Sequence, residues 1–195
     1  MRPRRFPPLL VNIIHTALVA CDGIRFHAGS TCPRCGCRLT GYDERRKRFA
    51  LLIDDEEKSD IQVILQRSYC KNCYTIINPP EPFYPGTRIG APVVDLCRSL
   101  SSTMPYSRAS TYLERMGVAV DRWSVRHYAQ SSLSEIPTMD IFGMKIPVSI
   151  VSLSTLAGSL QDSERADMDT ILEICNYPGE SSFVPAASDR KPQGP

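Results

Sequence analysis

A chain of 195 residues with 42% hydrophobic side chains has room for one ordinary domain or two very small ones. Its 23 basic and 21 acidic side chains leave a net charge of +2, so bulk charge names no nucleic-acid partner and any such case has to be local. No run is long and apolar enough for a helical membrane span, and the eight cysteines leave a choice between a disulfide framework and a metal site that spacing must make.

The first predicted element is a helix. MRPRRFPP, followed by LLVNIIHTALVA and Cys21, has the outline of a lipoprotein leader. Leu9, Leu10, Ile13, Ile14, Ala17, Leu18 and Cys21 nevertheless share one stripe at helical spacing, while Asn12, His15 and Thr16 lie off it. A leader needs no polar face, so residues 1–29 read as an amphipathic helix docked on a core, stopped at Gly23, plus a lead-in. The expectation is a cytoplasmic protein with no membrane partner.

Residues 30–77 carry the strongest signal. Cys32-x2-Cys35 is matched, beyond the 34 residues 36–69, by Cys70-x2-Cys73, each pair in a turn-prone setting, CPRCG and CKNC. Two residues between cysteines let both thiolates turn onto one ion, and four thiolates complete the closed tetrahedral shell of one structural zinc. Such a shell leaves no open position for water, which argues against hydrolysis at the metal. Two disulfides would need an exported protein, and a thioredoxin-like site would need a single pair in a βαβ setting. Cys37 is a bystander, because Cys-x4-Cys would break the match with the second pair. Cys97 and Cys175 fall on apolar stripes of predicted helices and read as small core residues. Between the pairs Phe49, Leu51 and Ile53 alternate, as do Ile61, Val63 and Leu65, on either side of the charged run DDEEKSD. That pattern predicts an antiparallel hairpin, hence a small zinc ribbon that needs its metal to fold. Arg45, Arg46, Lys47 and Arg48, entering its first strand, form the one dense basic run, which reads either as a grip on phosphates beside the helix or as a solvated strand end.

Residues 78–87 include NPPEPFYPG, whose prolines predict a stiff, extended spacer. Residues 88–131 then predict a three-helix, helix-turn-helix bundle. Ile89, Val93, Leu96, Cys97 and Leu100 share a face of the first helix, and Pro92 fits only its first turn. The second has Ser107 as N-cap, a stripe of Ala109, Tyr112, Leu113 and Met116, and Gly117 as its left-handed stop. The third starts at the N-cap Asp121, with Val120 and Val125 as a hydrophobic staple. Asp121, Val125, Tyr128 and Ala129 share its inner side, leaving Trp123, Arg126, His127 and Gln130 outward and Arg122 on the flank. Arg122, Trp123, Ser124, Arg126, His127 and Gln130 are therefore the candidate contacts to double-stranded DNA, the arginines for guanine edges or phosphates and the others for further polar or apolar contacts.

Residues 132–177 hold the nearly uncharged run 141–160, which is open to reading as a strand, a surface for a second copy or a vestige of a lost domain. A C-terminal helix follows, with Met168, Ile171, Leu172 and Cys175 on its apolar face. Asp140, Asp162, Glu164, Asp167, Asp169 and Glu173 read mostly as its solvated side. Residues 178–195, rich in Pro, Ser and Gly, read as a disordered tail.

This order of parts, CPRCG, a basic-then-apolar hairpin, CKNC, a link through EPFYPGTRIG and then YSRASTYLERMGVAVDRWSVRHY, resembles the N-terminal DNA-binding part of prokaryotic insertion-sequence transposases, particularly archaeal ones. The resemblance covers about residues 30–130. It implies zinc on Cys32, Cys35, Cys70 and Cys73, and DNA reading by the helix from Arg122 to Gln130. Such transposases continue into a large nuclease domain with three separated carboxylates, which the 65 residues 131–195 do not contain. The expectation is an α+β, zinc-dependent DNA-binding protein, regulatory or transposase-derived, without catalytic activity. The competing expectation is a protein–protein adaptor that binds no DNA and uses the 141–160 run as its contact surface.

Overall fold

The computed structural model describes residues 6–54, 57–131, 133, 135–160 and 165–175, and the expected tail over 178–195 lies outside them. The described chain is α+β. Pro7 and Pro8 open α1 (Pro8–Val19), where proline's fixed φ suits a first turn and its missing N–H costs nothing. Leu10, Ile14, Ala17, Leu18 and Cys21 of the expected stripe are buried, whereas Leu9 faces solvent. Burial pushes the Cys21 thiol up to about 12, as befits an inert packing group rather than a reactive one.

A four-stranded sheet follows, of β1 (Arg25–His27), β2 (Thr40–Asp54), β3 (Glu57–Cys70) and β4 (Thr75–Ile77). β2 and β3 form the expected antiparallel hairpin, while β1 runs parallel to β3 and β4 antiparallel to it along its other edge. Ile61, Val63 and Leu65 turn inward as alternation predicts. On β2 the alternation fails, because the register shifts between Arg48 and Ala50 and leaves Phe49 as an extra residue. Past this bulge Ala50 and Leu52 join Phe49 in the core, and Leu51 and Ile53, expected inside, turn to the opposite face.

The helices are α2 (Ala91–Ser101), α3 (Tyr106–Arg115) and α4 (Arg122–Ala129), then a β5 (Thr138–Ile141) and β6 (Met144–Pro147) hairpin, α5 (Val148–Ser159) and α6 (Met168–Ile174). Asp121 caps α4 by accepting from the Trp123 and Ser124 amides at 2.8 and 3.0 Å. Ser107 does not cap α3, which starts one residue earlier after Pro105, and its carbonyl instead accepts from the Thr111 hydroxyl. The run 141–160 is folded into the end of β5, β6 and α5, with Ile146, Ile150 and Leu153 in the core and α5 against α1, while Phe142 stays exposed.

The proline-rich link is not a spacer. Phe83 is 2% exposed and packs edge-to-face on Phe49 at 5.9 Å, the Gly90 amide donates to the Phe49 carbonyl, and the Ala91 amide donates to Pro82. Four prolines stiffen the segment, but an aromatic side chain among them gains more by burial than by extension into water. One continuous buried cluster accordingly runs from α1 through the sheet body and link to α6, and a second, small one holds Cys32, Cys70 and Ile77.

The free edge of β2 is closed by the turn between α3 and α4. The Ile53 amide donates to the Gly117 carbonyl and the Ala119 amide to the Leu51 carbonyl, both at 2.8 Å. His15, expected on the polar side of α1, points its Nε2 at this turn and buries it without a hydrogen-bond partner among the described residues.

Within the core, Asp95 of α2 is 4% exposed and accepts a 2.8 Å hydrogen bond from the Tyr84 hydroxyl. Burial raises its carboxyl to about 6, against the Tyr84 hydroxyl, Arg98 and Ser149, which favour the ionised form. A carboxyl raised in the folded state adds stability below its unfolded value near 4 and loses it as pH climbs through about 6. Asp95→Asn should therefore stabilise the fold at pH 8 by on the order of 2 kcal/mol and raise its thermal midpoint, with the gain vanishing at about pH 4. Calorimetry of both proteins at the two pH values checks this.

Candidate metal centre and outward helix face

The metal-ligating candidates come from two turns that the sheet brings together. The Cys32 amide donates to the Cys37 carbonyl and the Gly36 amide to the Cys32 carbonyl, each at 2.8 Å, and an antiparallel bridge joins Thr31 to Arg38. Cys70 ends β3, and Cys73 lies in the turn that leads into β4. All four sulfurs lie within 4.8 Å of one another, with Cys32 to Cys73 at 3.6 Å and Cys35 to Cys70 at 3.4 Å. Four bonds of about 2.3 Å to one tetrahedral ion place sulfurs about 3.8 Å apart, close to these edges and far from the about 2.05 Å of a disulfide. All eight cysteines are free thiols. Cys37 is exposed and outside the cluster, as expected.

The surroundings of Cys35, Cys70 and Cys73 treat the three sulfurs unequally. The Cys37 amide, then the Asn72 side chain, pull the Cys35 thiol down to about 6, and the Thr75 hydroxyl lowers Cys73. At Cys70 the Cys73 amide acts the same way, but burial and the neighbouring sulfurs outweigh it and push the thiol up to about 12. Protein groups alone can hold some of the sulfurs as thiolates, and a bound ion would let all four ionise. These residues could hold a metal ion.

The glycine that follows Cys35 and the tyrosine that follows Cys73 occupy equivalent places in the two turns. Gly36 has φ +71° and Tyr74 has φ +54°, a left-handed backbone that costs an L residue about 1 to 2 kcal/mol. Tyr74 is 72% exposed, so no packing offsets that cost.

On α4 and its C-cap, Val125 and Tyr128 are buried and Arg122, Trp123, Arg126, His127 and Gln130 are all exposed, as the sequence pattern predicts. Asp121, expected on the inner side, is exposed because its carboxylate caps the helix start. Trp123, 65% exposed, carries the Arg122 guanidinium over its ring at 4.9 Å. Ser124 is committed to the cap, its hydroxyl donating to the second Asp121 oxygen at 2.6 Å, and is half-buried. The basic run lies mid-strand rather than at a strand entry. Lys47 is half-buried, 3.8 Å from the Phe83 ring centre and paired with Glu81 at 2.7 Å, while Arg48 makes a two-pronged bond to Asp60. Arg45 stays exposed beside Asp43 at 3.9 Å, and Arg46 has no ion-pair partner among the described residues. The sequence pattern did not set aside charges already taken by Glu81 and Asp60.

No family model, curated protein or solved structure matches the chain.

A groove of about 490 Å³ separates the β2 face from α4, with Arg48, Asp121 and Ser124 among its lining residues. Lys58 and Arg88 line it too, both exposed, and neither was marked by any motif. Their only sequence signal is position, opposite Ile53 on β3 for Lys58 and at the end of the link for Arg88.

Proposed function

We propose that the chain is a zinc-containing DNA-binding protein without catalytic activity, in which β2, β3 and the two cysteine turns form a zinc ribbon and α3 with α4 a helix-turn-helix. The observation that carries this reading is the outward face of α4. Arg122, Trp123, Arg126, His127 and Gln130 are presented together to solvent, on a helix fixed from behind by Val125 and Tyr128. A tryptophan usually hides most of its surface, so one left 65% exposed between two arginines suits an external contact better than a plain solvated helix. The short turn from Gly117 to Val120 and the cap at Asp121 suit the way a second helix of such a pair would be presented to a major groove. Zinc is the ion we assign to the four thiolates, since soft sulfur ligands in a closed tetrahedron favour it over harder cations. The order of parts is also that of the transposase segment this sequence resembles. Free thiols throughout fit the reducing cytoplasm.

Arg122→Ala together with Arg126→Ala should weaken binding to mixed-sequence duplex roughly thirtyfold or more, at an unchanged thermal midpoint, because both side chains are exposed. Unchanged affinity would remove α4 from the interface. The adaptor reading draws on one observation, the exposed Met139 and Phe142 on the β5–β6 hairpin. Loss of a co-purifying protein on replacing those two residues, with no duplex binding by the parent chain, would favour it.

A further inference from the structure

The cysteine-bearing end of the hairpin carries exposed aromatic and basic side chains that are neither members of the four-sulfur cluster nor part of α4. Two tyrosines there sit on backbone irregularities. Tyr42 is the extra residue where the β2–β3 register shifts between Gly41 and Asp43, and it is 54% exposed. Bulges of this kind re-aim a side chain. Tyr74 holds its left-handed φ of +54° at the place where the other turn uses Gly36, and is 72% exposed. Each departs from regular backbone without gaining burial, so neither is accounted for by packing of the fold.

Their surroundings are mostly basic, and the nearest carboxylates in sequence, Asp43 and Glu44, are paired with Arg67 and Arg25. Residues 28–42 and 68–80 contain no aspartate or glutamate. Arg34, Arg38 and Lys71 stand exposed in or beside the two cysteine turns, with no ion-pair partner among the described residues. Three cations exceed the two negative charges that four thiolates retain around a divalent ion, so the tip keeps a positive balance after metal binding. Arg67, held by Asp43 through two hydrogen bonds, lies 5.2 Å from the Tyr42 ring centre, and Tyr69 packs on the same ring at 6.2 Å. Tyr42 is thus braced at its base while much of its surface stays open.

We propose that this tip is a contact site for an unpaired nucleic-acid strand, with bases stacking on Tyr42 and Tyr74 and phosphates held by Arg34, Arg38 and Lys71. Every base has a π-face, so stacking on exposed aromatic rings among cations suits single strands of any sequence. Paired bases hide those faces inside the helix, and so the tip favours unpaired over duplex ends. A protein partner would also use tyrosines, but a tip whose nearest carboxylates, Asp43 and Glu44, are already paired and which keeps three cations without ion-pair partners among the described residues fits a phosphate backbone better. The site does not depend on α4. From Thr40, next to the metal, to Leu52, where the α3–α4 turn pairs, β2 extends for roughly 40 Å of strand.

Fluorescence anisotropy of the metal-loaded full chain with labelled oligo(dT) and oligo(U) of about twelve nucleotides, alongside a mixed duplex, tests it. Tyr74→Gly should weaken single-strand binding about tenfold, and Tyr42→Thr by a similar factor, with duplex affinity and metal content unchanged and with Tyr74→Gly at least as stable as the parent chain. Glycine tolerates φ +54°, so a purely structural tyrosine would not show that combination. Arg122→Ala with Arg126→Ala should do the reverse, weakening duplex and sparing single strands, and the relative affinity for the two oligonucleotides tells DNA from RNA. No binding of the parent chain to either oligonucleotide at about 50 mM salt would overturn the proposal. So would tyrosine variants that bind as the parent does, or tyrosine-dependent capture of a protein in place of the oligonucleotides.

Discussion

Cys70→Ser should abolish stoichiometric metal binding and melt the tip of the hairpin while the rest of the chain stays folded. Cys70 is fully buried, and the small cluster it forms with Cys32 and Ile77 has little apolar mass beyond the cysteines themselves. The main core shares none of these residues, since Phe49, Ile61, Val63 and Leu65 belong to the large cluster with the helices. Metal binding free energy at such a site is folding free energy of the local structure only. Hydrogen exchange should lose protection over residues 28–41 and 68–77 and keep it in α2 and in the Ile61 to Leu65 part of β3. Elemental analysis should fall from one ion per chain to none. Cys37→Ser is the control and should keep its ion, because Cys37 lies outside the cluster. Acidification should release the metal from the parent protein, since four thiolates must be regained from protons before the ion binds.

Gly117→Ala should destabilise the fold by on the order of 3 kcal/mol, as read by urea denaturation. Gly117 has φ +78°, which alone costs an alanine about 1 to 2 kcal/mol. Its Cβ would also lie 1.9 Å from His15 Nε2 and 2.9 Å from the Ile53 carbonyl oxygen. The histidine can move, but the carbonyl belongs to the strand that the turn pairs with, so part of the clash has no soft exit. His15→Ala combined with Gly117→Ala should recover the histidine part and leave the backbone part. Additive single effects would mean that His15 and the turn are not in contact. If α4 reads duplex DNA, this turn sets the angle at which it does so, and the weakened variant should bind duplex less well even where it remains folded.

Local rules made much of this architecture legible. Cys-x2-Cys twice found the four sulfurs, and Asp121 and Gly117 marked the start of α4 and the end of α3 because caps and left-handed stops depend on a few neighbouring residues. Contacts between distant segments were not legible. The bulge at Phe49 exchanged the two faces of β2, since a period of two assumes that no residue is inserted. The proline-rich link was misread because stiffness says nothing about where Phe83 is buried. β1 and β4, three residues each, are too short to show a period. Lys47 and Arg48 looked available because Glu81 and Asp60 lie 34 and 12 positions away in the chain. Tyr74 did have a local signal, since CKNCY places a tyrosine where CPRCG places a glycine.

The four-cysteine end and the helical end are joined by β2 and β3 but packed in separate buried clusters, so metal and DNA contact can be probed separately in the same molecule. Duplex titration of the metal-loaded chain at about 50 and about 200 mM salt tests the DNA-binding account most directly. With Arg122, Arg126, Arg45 and Arg46 as phosphate contacts, the logarithm of affinity should fall with the logarithm of salt at a slope of about −3.5, or about a hundredfold between the two conditions. Absence of duplex binding at the lower salt, or an affinity that salt leaves unchanged, would contradict it.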